Sequence, residues 1–149
     1  MLGFGPHLVF DGSGCPSTRL SNLDALYRLL DSLPERIRMT KIMPPYVFRH
    51  GVAGDESEGV SGFVLIAESH ISVHTFPARR FVSADIFSCE SFDVEDALAA
   101  LREAFAPRRV DWKLLDRGRE FPKHIGPSRA IVERHRRLVA RGIGLEASR

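Results

Sequence analysis

Hydrophobic and polar residues alternate most regularly over residues 69–76. In an extended strand, Ile71, Val73 and Thr75 fall on one face. The opposite face carries aromatic and potentially reactive side chains: His70, Ser72, His74 and Phe76. Pro77 follows directly and cannot donate a hydrogen bond to a sheet, so the pattern predicts a strand that ends there.

The segments on either side of this strand also have strand patterns. Residues 63–67 form a continuous apolar run, which is typical of a strand buried on both faces. Residues 81–89 alternate again, and the short segment 77–80 between the two alternating runs contains turn-forming residues. Residues 69–89 are therefore predicted to form a β-hairpin.

Two longer segments repeat their apolar residues with helical spacing. Ser21 is the predicted N-cap of the first helix, which Pro34 is expected to end. Asp93 is the predicted start of the second helix, which closes at Pro107. These helices carry apolar stripes that can cover one face of a sheet.

Shorter strand patterns lie nearer the ends of the chain. Strands are predicted over residues 7–11 and 110–114, and Pro44-Pro45 separates two short strand-like runs within residues 36–48. Strands that interleave with two helices around a central hairpin predict an α/β (α+β) two-layer sandwich. Its sheet is expected to be mostly antiparallel, with the helices packed on one face.

Composition narrows the class of protein. The 149 residues fit one domain with its own core, and a net charge of +2 gives no reason to expect a nucleic-acid partner. No apolar run approaches the ~20 residues of a membrane span, and the N-terminus lacks a signal-peptide pattern. Cys15 and Cys89 are too few for a disulfide framework, so a cytoplasmic location is expected. The histidines and cysteines lack the paired spacing of a zinc site, so no metal is expected.

The serines and histidines of residues 69–76 are groups with which a chain could modify itself. A serine hydroxyl can attack the carbonyl of the peptide bond before it, and a nearby histidine can manage the protons. If the resulting ester eliminates, the serine becomes a pyruvoyl group. That ketone would form a Schiff base with a substrate amine and promote loss of carbon dioxide, the role of pyridoxal phosphate elsewhere. A chain that modified one of its serines in this way would carry its own pyruvoyl cofactor and would need no pyridoxal phosphate.

Four separated pieces of the sequence resemble the prokaryotic S-adenosylmethionine decarboxylases, which are pyruvoyl enzymes of polyamine synthesis. They are Gly59-Val60-Ser61-Gly62, Glu68-Ser69-His70, His74-Thr75-Phe76-Pro77 and Asp85-Ile86-Phe87-Ser88-Cys89. The likeness runs from Gly5-Pro6-His7-Leu8 to about Phe121. Because the pieces match in order and in spacing, the motif set is specific.

The resemblance implies a self-processing enzyme. The cut would fall between Glu68 and Ser69, giving a β chain of residues 1–68 and an α chain of residues 69–149 with an N-terminal pyruvoyl group. The implied reaction makes the aminopropyl donor for spermidine from S-adenosylmethionine. The implied fold is the same two-layer sandwich, and the implied working unit is a homodimer.

The resemblance also implies roles for individual side chains. Ser61 and His74 would assist processing, and Cys89 would return a proton after decarboxylation. Phe48 and Phe76 are candidates to stack on adenine or to hold a cationic sulfonium. Strict alternation places Ser69 with Ile71, on the face opposite His74, so a turn or bulge near Ser69 is expected to let the two cooperate.

Departures from the family pattern keep other substrates open. Ala78 stands where the family usually has a glutamate that holds the ribose, and Phe76 replaces the usual tryptophan. The loop before Gly59 is acidic, with three carboxylates that could bind an ammonium or guanidinium group: Asp55, Glu56 and Glu58. The alternatives are therefore an L-ornithine or L-arginine decarboxylase, or an unprocessed binding homologue. Residues 122–149 diverge from the family and are predicted to contain a helix capped by Ser128.

Overall fold

In a computed structural model that describes residues 5–118, seven strands form one sheet. The strands are β1 Gly5–Ser13, β2 Thr40–Lys41, β3 Tyr46–His50, β4 Gly59–Ala67, β5 Ser69–Phe76, β6 Phe81–Ser88 and β7 Arg109–Arg117. Their order across the sheet is β2-β4-β5-β6-β1-β7, with β3 also paired to β4. Every pairing is antiparallel, as the alternating patterns predicted.

Three helices lie on one face of this sheet: α1 Ser17–Leu20, α2 Leu23–Arg36 and α3 Val94–Phe105. The buried faces of α2 and α3 supply Leu30, Leu33, Leu98 and Leu101 to the core. Ile71 and Val73 on β5 are fully buried in the same cluster. The predicted two-layer α+β sandwich is therefore confirmed, and we call the sheet face turned away from the helices the outer face.

Helix boundaries differ from the predictions at two positions. Ser21 follows α1, and Asn22 caps α2 instead, because its side chain accepts a hydrogen bond from the Ala25 N–H over 2.9 Å. Pro34 lies inside the last turn of α2, which continues to Arg36. The predicted cap of α3 is confirmed, since the Asp93 carboxylate accepts from the Asp96 N–H over 3.0 Å.

Strand β4 corrects the expectation of a strand buried on both faces. Its inward residues Val60, Val64 and Ile66 are fully buried, but Phe63 and Leu65 on the outer face are 36% and 39% exposed. The same outer face exposes further large apolar side chains: Tyr46, Phe48 and Leu115. A contiguous apolar surface of this kind marks a place where another molecule can pack.

The remaining sequence predictions differ from the structure only in length. The strands expected over 7–11 and 110–114 lie within β1 and β7, and the two short runs around Pro44-Pro45 are β2 and β3. Strand β6 ends at Ser88, so Cys89 directly follows it rather than belonging to it. No helix among residues 5–118 has the length and hydropathy needed to cross a bilayer. The helix predicted near the C-terminus lies outside the described residues.

Candidate active site

Ser69 opens β5 in the middle of the sheet, between β4 and β6. It pairs with Ile66 on one side and with Ser88 on the other. Its φ of 120° is a value that residues with a side chain rarely adopt. Such a conformation costs on the order of 1–3 kcal/mol and persists only where the surrounding structure holds it.

The Glu68 carbonyl group, directly before Ser69, is held by a residue that follows β6. The backbone N–H of Cys89 donates to the Glu68 oxygen over 3.3 Å. Cys89 comes within reach because Ser88, the residue before it, is the cross-strand partner of Ser69. The structure therefore brings Cys89 to Glu68 and Ser69, although it lies twenty residues after Ser69 in the sequence. A backbone N–H in this position can stabilise negative charge that develops on the carbonyl oxygen.

His70 is also beside Ser69, and sequence reasoning gave it no role. Its Nδ1 lies 3.5 Å from the Ser69 Oγ. In a regular strand, adjacent side chains point to opposite faces, so this contact depends on the irregular φ of Ser69. Burial lowers the pKa of the His70 imidazole, with His7 and Arg117 acting in the same direction and Asp85 opposing them. A lowered pKa favours the neutral ring, which can accept a proton.

Ser61 and His74 form a second polar group on the outer face. The residues are cross-strand partners on β4 and β5, and the Ser61 Oγ lies 2.8 Å from His74 Nδ1. Ser61 is buried, whereas His74 is exposed. Phe48 is the neighbour of Ser61 on β3. The hydroxyl and the imidazole are thus pre-positioned, with the aromatic side chain beside them.

The two polar groups do not meet within one chain. Ser69 and His74 are five residues apart on the same strand, which corresponds to about 16 Å of extended chain. The backbone does depart from regular strand geometry at Ser69, as the alternation argument required. That departure turns Ser69 toward His70 and does not bring it to His74. The expectation that a local turn would join Ser69 and His74 is therefore wrong for a single chain.

The predicted aromatic residues Phe48 and Phe76 lie on either side of His50, a residue that sequence reasoning overlooked. Ring centroids are 6.5 Å apart for Phe48 and His50 and 6.0 Å apart for His50 and Phe76, both in edge-on geometry. The His50 Nε2 is buried and has no hydrogen-bond partner in the described chain. A buried polar atom without a partner is uncommon and marks a position where a ligand group could bind.

The acidic loop uses its carboxylates locally. Asp55 accepts from the Ser57 N–H over 2.9 Å, and Glu58 accepts from the Gly54 N–H over 2.7 Å. Glu56 lies 3.4 Å from the Arg79 guanidinium. These contacts give the three carboxylates structural partners within the loop and its surroundings. Among residues 5–118, no cluster of three or more histidine, cysteine, aspartate or glutamate side chains is placed to hold a metal ion.

This arrangement suits acyl chemistry at the Glu68–Ser69 peptide bond. A hydroxyl stands next to the bond, a backbone donor holds the carbonyl oxygen, and an imidazole contacts the hydroxyl. The thiol of Cys89 belongs to the residue that supplies the backbone donor. A general base and an oxyanion donor around one serine are the groups that attack on a carbonyl requires.

Comparison with known proteins agrees with this geometry. The profile of the family described as S-adenosylmethionine decarboxylase matches residues 6–118. An S-adenosylmethionine decarboxylase proenzyme of Thermoplasma acidophilum is 33% identical over 119 residues, covering 78% of this chain and 86% of the relative. One from Clostridium botulinum is 33% identical over 116 residues, covering 77% and 95%.

A solved structure has the same fold. The crystal structure of the adenosylmethionine decarboxylase from Aquifex aeolicus matches with a TM-score of 0.64 at 26% sequence identity, covering 78% of this chain and 92% of the other. The resemblance that the sequence motifs indicated is therefore confirmed by profile, sequence and structure. The chain belongs to the S-adenosylmethionine decarboxylase family.

Proposed function

We propose that this protein is a pyruvoyl-dependent S-adenosylmethionine decarboxylase that matures by cutting itself between Glu68 and Ser69. The observation that carries the proposal is the geometry of that bond. Ser69 is held at a strained φ of 120°, and the Glu68 carbonyl oxygen accepts a hydrogen bond from the Cys89 N–H. Family membership supports the same assignment, because the relatives are named as proenzymes.

Maturation proceeds in two stages at this bond. First, the Ser69 Oγ attacks the Glu68 carbonyl carbon and the C–N bond breaks, so the amide becomes an ester. Second, the Ser69 Cα loses its proton and the Cβ–O bond breaks, which ends the covalent link to residues 1–68 and leaves a free carboxylate at Glu68. The remaining dehydroalanine tautomerises to an imine. Hydrolysis of the imine takes up one water, loses one ammonia and leaves the pyruvoyl group. The strain at Ser69 favours the first stage, because it is relieved when the peptide bond is cut.

The residues around Ser69 fit the chemistry of a pyruvoyl group. Once formed, the pyruvoyl group supplies an electrophilic carbonyl that binds the substrate amine and takes up the electrons released with carbon dioxide. Cys89 adjoins Ser88, the cross-strand partner of Ser69, and its side chain is partly exposed. A thiol is a weak acid, so Cys89 can return a proton to the substrate carbon after decarboxylation.

We infer that the working unit is a homodimer. The Ser69–His70 contact and the Ser61–His74 pair lie toward opposite ends of β5, and the exposed Phe63 and Leu65 on the neighbouring strand β4 lie between them. A two-fold axis near these apolar residues would exchange the two ends. Ser69 of one copy would then face Ser61 and His74 of the other, which allows the second pair to assist processing.

S-adenosylmethionine is the substrate that the site supports best. Phe48, His50 and Phe76 form an aromatic cluster that can hold a sulfonium or an adenine ring. The unpartnered Nε2 of His50 offers a polar contact in a chain where Ala78 replaces the usual acid. The loop carboxylates already have partners, so little supports ornithine or arginine.

We place the reaction in polyamine synthesis, where decarboxylated S-adenosylmethionine donates its aminopropyl group to make spermidine. A cytoplasmic location accords with Cys15 and Cys89 being thiols rather than a disulfide, because reducing compartments keep cysteines in the thiol form.

Mass spectrometry and a substrate assay test the proposal. Purified protein is expected to give two fragments that meet at Glu68 and Ser69, the second carrying a carbonyl that borohydride reduces. The cut protein should release carbon dioxide from S-adenosylmethionine and not from L-ornithine or L-arginine. A single full-length mass with unmodified Ser69 would contradict self-processing. Cut protein that acts on ornithine or arginine alone would contradict the substrate.

A further inference from the structure

We propose that His70 is the base that removes the Ser69 Oγ proton at the start of self-cleavage. The inference rests on the proposed function and adds a residue that acts within the same chain as the bond it helps to cut. His74 lies about 16 Å from Ser69 along the strand, so the first stage of maturation would not depend on the His74 of the same chain.

The contact between the two side chains carries the proposal. The His70 Nδ1 lies 3.5 Å from the Ser69 Oγ, at the long end of the hydrogen-bond range. Distances between catalytic partners are often long before the reacting group moves into position. A rotation about the Ser69 Cα–Cβ bond changes this distance without moving the backbone of β5.

Neighbouring strands fix the His70 ring in place. Leu65 on β4 and Phe87 on β6 are its cross-strand partners, and the Phe87 ring meets it edge-on with centroids 6.1 Å apart. Phe87 is itself held by His7, at 5.6 Å between ring centroids, and by the Arg117 guanidinium, 4.2 Å from its centroid. A packed ring presents its nitrogen at a defined position, which is what proton transfer requires.

The proposed step balances without an external reagent. The Ser69 Oγ gives its proton to His70 Nδ1 and bonds to the Glu68 carbonyl carbon, and the carbonyl electrons move to the oxygen held by the Cys89 N–H. When the carbon–oxygen double bond re-forms, the C–N bond breaks and the departing nitrogen takes the proton from His70. The products are an ester and a free amine, and His70 is neutral again.

The charged surroundings of His70 set the expected pH dependence. Asp85 on β6, His7 on β1 and Arg117 on β7 are the titratable or charged groups that act on it, and Leu65 on β4 is apolar. Burial is the largest influence and lowers the pKa of His70 below its ordinary value. The ring is then neutral and able to accept a proton at neutral pH. Cleavage should slow as the pH falls through a value below the usual ~6.5 of histidine.

Two substitutions of His70 test whether it acts as a base or only positions Ser69. His70→Asn keeps a polar atom near the position of Nδ1 but cannot take up a proton, and His70→Ala removes both functions. Ser72→Ala is the matched control, because Ser72 lies on the same face of β5 two residues away. Each chain is made by brief cell-free synthesis and moved into buffers from about pH 5 to pH 8, the range in which histidine titrates. The cut fraction is then followed by intact mass.

We expect both His70 variants to cut at least ~100-fold more slowly than the wild-type chain, the usual loss when a general base is removed. Their residual rate should no longer fall at acidic pH as the wild-type rate does. Hydroxylamine, which cleaves esters and leaves amides intact, should not cut the stalled chains. Circular dichroism establishes that the His70 variants are folded, and the Ser72→Ala chain should cut at the wild-type rate.

Other outcomes have distinct meanings. A folded His70→Asn chain that cuts at the wild-type rate, with the wild-type pH profile, would overturn the inference. Stalled variants that hydroxylamine does cut would also overturn it, because the ester would already have formed. A wild-type chain that never cuts would instead contradict the proposed function itself.

Discussion

The Cys89 N–H donates to the Glu68 carbonyl oxygen over 3.3 Å, so the contact with the bond to be cut comes from the main chain and not from the thiol. The same residue can therefore serve both reactions through different atoms. In the proposed mechanism, its amide would act on the Glu68 carbonyl during maturation, and its sulfur would act on the substrate afterwards.

Replacing Cys89 by alanine should separate these two reactions. The backbone donor remains, so we expect the chain to cut at close to the wild-type rate. Loss of the thiol should reduce the rate of decarboxylation by about 100-fold, the usual scale for a lost general acid. Intact mass measures the first effect and release of labelled carbon dioxide the second. A fully active Cys89→Ala enzyme would remove the proton-donor assignment.

Gly5 lies directly against the backbone of Ser88 and Cys89. A Cβ on Gly5 would lie 1.9 Å from the Ser88 carbonyl oxygen and 2.8 Å from the Cys89 Cα, so backbone must move to admit it. Gly5→Ala should therefore displace the donor and slow cutting by about 10²-fold, the lower end for loss of an oxyanion donor.

The control for this prediction is Gly54→Ala. Gly54 has a left-handed conformation that favours glycine, with a φ of +82°, but a Cβ there would meet nothing within 4 Å. Its substitution should cost about 1–2 kcal/mol of stability, because a Cβ is strained at this φ, and should leave the rate of cutting unchanged. Equal rates of cutting in folded Gly5→Ala and wild-type chains would argue against a role for the Cys89 amide.

Mixed dimers test whether the site is shared between copies. A Ser69→Ala chain cannot be cut but keeps Ser61 and His74, whereas a His74→Ala chain keeps Ser69 and lacks the imidazole. Co-expressed, they should form heterodimers in which one complete site cuts the His74→Ala chain. Intact mass of differently tagged copies measures this rescue. If His74→Ala chains alone stay uncut and remain uncut in the mixture, the shared site is wrong.

Thr75 is a stability determinant beneath the site. Its buried Oγ1 accepts from the Val60 N–H over 2.9 Å and lies within donating distance of the Leu20 and Val60 carbonyl oxygens. Thr75→Val should lower the free energy of unfolding by about 1–3 kcal/mol, because buried polar groups lose their partner.

Urea unfolding of chains that also carry Ser69→Ala measures this loss on a single uncut polypeptide. Thr75→Ser keeps the hydroxyl and removes one methyl group, so it should cost only about 1 kcal/mol. A larger loss for serine than for valine would show that packing, rather than hydrogen bonding, matters at this position.

The alternation over residues 69–76 was sufficient to predict the central strand, its buried face and the turn after Phe76. Periodicity works here because the two faces of β5 differ sharply in polarity. It failed for β4, where Phe63 and Leu65 are apolar but exposed. An apolar side chain indicates that a surface is to be covered, but not whether the same chain or a second copy covers it.

The candidate site also contains features that the sequence could predict and a contact that it could not. Motif spacing could nominate Ser69 and Cys89, and strand pairing through Ser88 explains why they come together. The contact between Ser69 and His70 was beyond pattern reasoning, because regular alternation separates adjacent side chains. One unusual φ overrides that rule, and such an angle depends on the tertiary structure rather than on local preference. Sequence preference could not decide between Ser21 and Asn22 as the cap of α2, since both residue types cap helices well. In the structure Ser21 ends α1, so the cap of α2 falls on Asn22.

The strand order has a consequence for the mature enzyme. A break before Ser69 assigns β1, β2, β3 and β4 to one fragment and β5, β6 and β7 to the other. Because β1 is inserted between β6 and β7, the fragments interdigitate across three ladders: β4 with β5, β6 with β1, and β1 with β7. Separating them means unravelling the sheet, so the two polypeptides should co-purify through dilution and salt and part only in denaturant. Scission would thus create a new chain end in mid-sheet without releasing either piece.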